Sequence, residues 1–114
     1  MMDCLFCRII NGSIPAKLIH RDEIVVAFDD INPQAPQHKL IVPTKHIASL
    51  NELSTEDSHI LGHMAKTAAQ LAKDLNIADQ GYRLVMNCGN EGGQTVAHIH
   101  AHLIGGRQMH WPPG

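Results

Sequence analysis

Three histidines recur at alternate positions in His98-Ile99-His100-Ala101-His102-Leu103-Ile104, inside a run of Ile, Leu and Ala. If the run is a β-strand, successive side chains point to opposite faces. The three imidazoles then line one face at steps of about 7 Å, and Ile99, Ala101 and Leu103 enter a core. An imidazole titrates close to neutral pH and can act as nucleophile, proton carrier or metal ligand. Polar residues placed on a strand only to meet solvent are more often Thr, Lys or Glu, so the row reads as chemistry. A zinc ion is one reading of a His-x-His pair, and a catalytic zinc needs a third protein ligand and an open position. An extended strand holds alternate rings too far apart for all three to meet one ion.

The residues leading into this row narrow the choice. Asn87-Cys88-Gly89-Asn90-Glu91-Gly92-Gly93-Gln94-Thr95 is rich in glycine and ends in two hydrogen-bonding side chains. Glycines admit positive φ and let backbone N–H groups come close to an anion, so the loop could cradle a phosphate beside the histidines. Equally, Gly-Asn clusters between strands are commonly hairpin turns. No Lys follows the glycines as in a Walker loop, and the dinucleotide fingerprint is absent. From Gly92 to Gly114 there is no Asp or Glu to repel a phosphate.

His98-x-His100-x-His102, followed by apolar residues and by Gly105-Gly106-Arg107-Gln108-Met109-His110-Trp111-Pro112-Pro113-Gly114, resembles the histidine triad superfamily in its nucleoside phosphoramidase branch, the histidine triad nucleotide-binding proteins. Ile14-Pro15-Ala16-Lys17, Asp30-Ile31-Asn32-Pro33-Gln34-Ala35-Pro36, His38, Gly81-Tyr82-Arg83 and Gly92-Gly93-Gln94 extend the resemblance over nearly the whole chain in the expected order.

That resemblance implies hydrolysis of a purine nucleoside phosphoramidate, such as adenosine 5′-phosphoramidate or an aminoacyl-adenylate, through a nucleotidyl-histidine. His100, the central histidine, matches the nucleophile. His102 would face the phosphate and the leaving amine, His38 matches a supporting histidine on a neighbouring strand, and His98 completes the triad. Asn87, Gly93, Gln94 and Thr95 match donors to the phosphate oxygens, with Thr95 standing where many relatives have Ser. Asp30 resembles a ribose clamp accepting from the 2′- and 3′-hydroxyls; read without the family, it opens the turn before Asn32-Pro33. Leu5, Phe6, Ile9, Phe28, Ile31 and Leu40 match positions that sandwich a purine in relatives, and would otherwise be ordinary core residues. In relatives the tail, residues 106–114, reaches a homodimer interface, where Trp111 would shape the partner's leaving-group pocket. Two other readings stay open: a dinucleoside polyphosphate hydrolase of the same superfamily, against which the Trp111-Pro112-Pro113-Gly114 ending speaks, and a nucleotide- or zinc-binding interaction module without turnover.

A second set of residues is Cys4-x-x-Cys7 with His46 and His98. Two sulfurs and two imidazoles make a closed tetrahedral zinc site, similar to the structural zinc of some bacterial histidine-triad proteins with the same Cys-x-x-Cys and Pro-x-x-His patterns. The alternative is a pair of half-buried cysteines in an amino-terminal helix that never meet metal. A thioredoxin-like role lacks the βαβ context it needs. Catalysis requires no cofactor on this reading, and any zinc is structural.

Composition sets the frame for these groups. The 114 residues, 44% hydrophobic, make one domain over 1–114, of a size that gains from dimerisation. A formal charge of −2 without a Lys/Arg cluster offers no field for nucleic acid. Met1-Met2-Asp3 opens no signal peptide, no apolar run reaches membrane-spanning length, and three cysteines without an export signal point to the cytoplasm. The element pattern is α+β, and the resemblance implies a HIT-like fold, a five-stranded antiparallel sheet with one long and one short helix, dimerising. Asp3 caps a short helix ending near Ile10 at Asn11-Gly12. Leu18 to His20, Ile24 to Phe28, Lys39 to Val42, Tyr82 to Asn87 and His98 to Ile104 read as strands. Ser54 opens a long helix whose stripe of Ile60, Leu61, Met64, Ala68, Leu71, Ala72 and Leu75 covers one sheet face. His20, His59 and His63 read as surface or helix-face residues.

Overall fold

The computed structural model describes residues 3–114; Met1 and Met2 lie outside the described residues. Helix α1 spans Leu5–Ile10, followed by strands β1 (Leu18–Arg21), β2 (Val25–Asp29) and β3 (Gln37–Pro43), helix α2 (Ser58–Asp74), and strands β4 (Tyr82–Val85) and β5 (Ala101–Gly105). The strands form one antiparallel sheet in the order β1-β2-β3-β5-β4. Among the described residues no helix is long and apolar enough to cross a membrane.

The register explains the two cores. Ile41 pairs with Ala27 and Ala101, while Leu40 pairs with Phe28 and His102, so alternate residues of β3 serve opposite faces. One face, with Val25, Ala27, Ile41, Ala101 and Leu103, packs on Met64, Ala68, Leu71 and Ala72 of α2. The other, with Val26, Phe28, Leu40 and Val42, is partly covered by Phe6 of α1. His38 and His102 lie on this second face, the one that α2 leaves free.

Several boundaries differ from the sequence reading, each for a local reason. Asp3 does not cap α1. The first helical bond runs from the Arg8 N–H to the Cys4 carbonyl at 3.1 Å, which makes Cys4 the cap, and its Sγ accepts from the Cys7 N–H at 3.4 Å. Ser54 caps a separate 3-10 turn, Thr55–Asp57, and α2 begins only at Ser58. Strand β5 starts three residues late: the His98 N–H bonds Val96 O at 2.9 Å and the Ile99 N–H bonds Ile47 O at 2.8 Å, outside the ladder. The three histidines therefore do not form one exposed row. His98 and His100 are buried, while His102 is partly open.

His20 and His63 are not idle surface groups. The Nε2 atoms of His20 and His63 donate to one Asp22 oxygen at 2.7 and 2.8 Å, and the other oxygen accepts from the Ile24 and Val25 N–H groups at 2.8 Å each. One carboxylate thus shapes the β1–β2 turn and ties it to α2. Burial opposes its ionisation, but the bonds from His20, His63, Val25 and Ile24 outweigh that and hold its pKa far below the usual carboxylate range.

Candidate functional site

His100 sits just before β5, where its Nδ1 lies 2.8 Å from the His98 carbonyl. A carbonyl only accepts, so Nδ1 carries the proton and Nε2 keeps its lone pair. The Phe6 ring meets this imidazole edge to face, with centroids 5.0 Å apart.

A second chain of bonds sets the tautomers of His38 and His102. The Gln34 N–H donates to His38 Nδ1 at 3.0 Å, which places the His38 proton on Nε2. That Nε2 donates to His102 Nδ1 at 2.9 Å, so the proton of neutral His102 is on Nε2. Asp30 supports the pair: Oδ2 is 3.4 Å from His38 Nε2 and 3.9 Å from His102 Nδ1, while Oδ1 accepts from the Asn32 N–H at 2.8 Å and closes the turn. Burial lowers the pKa of His38 against the pull of Asp30. Burial, then the neighbouring His100 and His38, lowers that of His102. Both rings are thereby held neutral at pH 7.

His100 and His102 open onto a cavity of about 530 Å³ between α1 and the sheet, with His38 behind His102 and off the cavity wall. Its walls include Leu5, Phe6, Ile9, Phe28 and Leu40, with Ile31 fully exposed at the rim rather than packed inside. Asp30, Thr95, His100 and His102 also line it. Several other sequence candidates stand off the cavity wall. Asn87 and Gly93 are off the cavity, and the Gly93 and Gln94 N–H groups are bonded to Asn90 O and Gly89 O at 3.1 Å each. The Gln94 amide donates to Ala48 O and Val96 O and accepts from the Gly89 N–H. A Cβ on Gly92 would lie 2.2 Å from the Cys88 carbonyl, so Gly92 serves the loop's own closure. Trp111 is 83% exposed and lies away from the cavity of its own chain.

The His98 ring is likewise off the cavity: it faces away from it, into the cysteine cluster. Its Nδ1 lies 3.3 Å from Cys4 Sγ, 3.6 Å from Cys7 Sγ and 3.1 Å from His46 Nδ1, and Cys7 Sγ is 3.3 Å from His46 Nδ1. Ligands of a tetrahedral zinc with two sulfurs and two nitrogens stand about 3.3–3.8 Å apart, so the four atoms fit that ion. The tautomer agrees: His98 Nε2 donates to Pro43 O at 2.8 Å, leaving the Nδ1 lone pair for a metal. Asp30, His38 and His102 also converge, but there the Gln34 N–H holds the His38 proton on Nε2, the atom a metal would need. The geometry of the first cluster fits a cation, and that of the second holds a proton. Burial, then the hydrogen bond to Cys4, pushes the Cys7 thiol up to about 11.

Sequence reasoning missed three kinds of residue. Ile14, Pro15, Ala16 and Lys17 line the cavity; the Ile-Pro-Ala-Lys run was visible as a motif but its place was not. Val96 and Asp29 line it too. Gln34 and Pro43 act through backbone groups, and no side-chain signal could have revealed them.

Residues 3–111 match the family model described as scavenger mRNA decapping enzyme C-term binding. A HIT-like protein from Synechocystis sp. is 47% identical over 112 residues, covering 98% of this chain and 97% of the relative. Among solved structures, a HIT family hydrolase from Legionella pneumophila Philadelphia 1 superposes with a TM-score of 0.95 at 51% identity, covering 98% of this chain and 100% of that one. A zinc-bound histidine triad family protein from Mycobacterium smegmatis superposes with a TM-score of 0.80 at 31% identity, covering 93% of this chain and 76% of that one.

Proposed function

The chain belongs to the histidine triad (HIT) family, and on that footing we propose that it is a purine nucleoside phosphoramidate hydrolase working through a nucleotidyl-histidine on His100. The observation that carries the reading is a buried imidazole whose Nδ1 proton is held by the His98 carbonyl, so that Nε2 is an unprotonated nucleophile lining an apolar cavity of about 530 Å³.

In the first half-reaction His100 Nε2 attacks the α-phosphorus and the P–N bond breaks. Its electron pair stays on nitrogen, and the amine departs with a proton taken from solvent while His102 Nε2–H donates a hydrogen bond to the departing nitrogen. The charge that develops on the His100 ring is stabilised by the His98 carbonyl at Nδ1. In the second half-reaction water attacks phosphorus, the bond to His100 breaks with its electron pair returning to Nε2, and the water proton passes to solvent. One water is consumed, and one amine and one nucleoside monophosphate are released. His38 holds the His102 ring in place. Thr95 is the hydroxyl donor on the cavity wall, and Asp30 Oδ2 accepts from the ribose hydroxyls. Apolar walls with few polar readers favour a purine and discriminate weakly between adenine and guanine.

Cys4, Cys7, His46 and His98 would hold a zinc ion, which contributes a structural cross-link. The protein works as a cytoplasmic homodimer, with the tail from Gly106 onward reaching the neighbouring pocket. The half-exposed Tyr82 and Leu84 on the edge strand β4 and the exposed Trp111 are the apolar groups such an interface would cover.

The test is a kinetic panel of adenosine 5′-phosphoramidate, an aminoacyl-adenylate and a dinucleoside polyphosphate. The first two should turn over with the highest kcat/KM. Preference for the polyphosphate would reassign the leaving group, and tight AMP binding with no turnover of any of the three would make the protein a binding module.

A further inference from the structure

Helix α1 is six residues long, too short to hold itself together in water, and Phe6 is the one residue it buries fully. Yet it supplies Leu5, Phe6 and Ile9 to the cavity wall. Both ends of the Cys-x-x-Cys pair belong to it: Cys4 is its cap and Cys7 lies in its second half of the first turn. His46 reaches the same cluster from the segment after β3, and His98 from the segment before β5. Neither of these segments belongs to α1, so the cluster fastens the helix to the part of the fold that carries the nucleophile. The His98 ring enters the cluster while its carbonyl orients His100. Phe6 touches both rings, with centroids 5.9 Å from His98 and 5.0 Å from His100.

We infer that Cys4, Cys7, His46 and the His98 ring, when they hold zinc, are positioning residues for the nucleoside, so that occupancy of this cluster sets nucleotide affinity in the neighbouring cavity. The inference rests on the proposed nucleotide site. The ion touches no substrate. It limits the excursions of α1, and with them the distance between the apolar wall formed by Phe6 and Ile9 and that formed by Phe28 and Leu40. The carbonyl of His98 has further restraints in the bonds from its own N–H to Val96 O and from the Ile99 N–H to Ile47 O. Loss of the ion should therefore weaken binding more than the chemical step.

AMP is titrated calorimetrically into zinc-loaded protein, into protein stripped with a chelator under reducing conditions, and into His46→Ala, which removes a ligand that belongs neither to α1 nor to the cavity wall. Circular dichroism reports the fold, and nitrogen-15 NMR reports the His100 tautomer. Stripping and H46A should each weaken AMP binding about tenfold, zinc should restore the stripped protein but not H46A, and KM should rise while kcat changes little. Equal AMP affinity in loaded and stripped protein of intact fold overturns the inference and leaves the nucleotide site standing, as does failure to take up zinc. Absence of AMP binding to the loaded protein overturns both. If stripping unfolds the chain, H46A decides: a folded variant that binds AMP as tightly as the zinc-loaded protein refutes the inference.

Discussion

At the scale of single residues, the chemistry depends on which nitrogen of each ring holds a proton. His100→Gly should reduce phosphoramidate turnover at least about a thousandfold, since it removes the bond-forming atom. AMP affinity should survive, because the walls and Asp30 remain. Measurable burst kinetics in this variant would place the nucleophile elsewhere. Burial keeps His38 and His102 neutral below the usual imidazole range of about 6.5. The relay needs an unprotonated His102 Nδ1, so the acid limb of kcat/KM should fall below that pH. A limb centred at or above 6.5 in a rate profile would count against the relay. The same shifts carry a stability consequence: below about pH 6.5 the unfolded chain binds protons at His38, His98 and His102 that the folded chain resists, so stability falls as pH falls through that range.

At the scale of elements, two ties decide whether the sheet presents its site. Asp22 joins the β1–β2 turn to α2 through four hydrogen bonds. Asp22→Asn should cost roughly 1–3 kcal/mol in denaturant melts at pH 7. Because the folded pKa is depressed, the wild-type advantage exists above the ordinary carboxylate value of about 3.9 and shrinks as pH drops below it. A difference that grew on acidification would remove the ionised carboxylate from the account. The second tie is the Cys/His cluster. Zinc uptake must deprotonate thiols, one of which is pushed up to about 11. Calorimetry in buffers of different ionisation enthalpy should therefore show proton release, with affinity falling as pH falls. Chelation should lower the melting temperature.

At the scale of the whole molecule, the sheet has one face covered by α2 and the other covered only in part by α1, which leaves room for the cavity. The tail departs from the end of β5, with the Arg83 guanidinium donating to His110 O at 2.9 Å, and it carries Trp111 outward. Deleting the residues after Arg107 should change the preference among amine and acyl leaving groups more than AMP affinity. Unchanged selectivity in a truncated dimer would refute that role for Trp111, and a fully active monomer by light scattering would refute the need for a dimer.

Alternation of polar and apolar residues, the helix stripe and the turn residues belong to single segments, and they are why the five strands, the two helices and the α2-covered face were legible from the chain alone. The residue types Cys4, Cys7, His46 and His98 were legible from the Cys-x-x-Cys spacing together with the family resemblance, and the apolar set around Phe6 and Phe28 only from the resemblance. Tertiary structure decided what residue type leaves open. The alternation of His98, His100 and His102 predicts three rings on one face, but hydrogen bonds from His98 to Val96 and from Ile99 to Ile47 hold these residues outside the ladder, so the strand starts late and the His98 ring meets the cysteines. The glycine loop looked like a phosphate cradle, yet the Gly93 and Gln94 N–H groups are spent on its own carbonyls. Proton placement on His38, His98 and His100 is dictated by backbone groups of Gln34, Pro43 and His98. Every residue carries such backbone groups, so only the three-dimensional path of the chain determines which of them meets an imidazole.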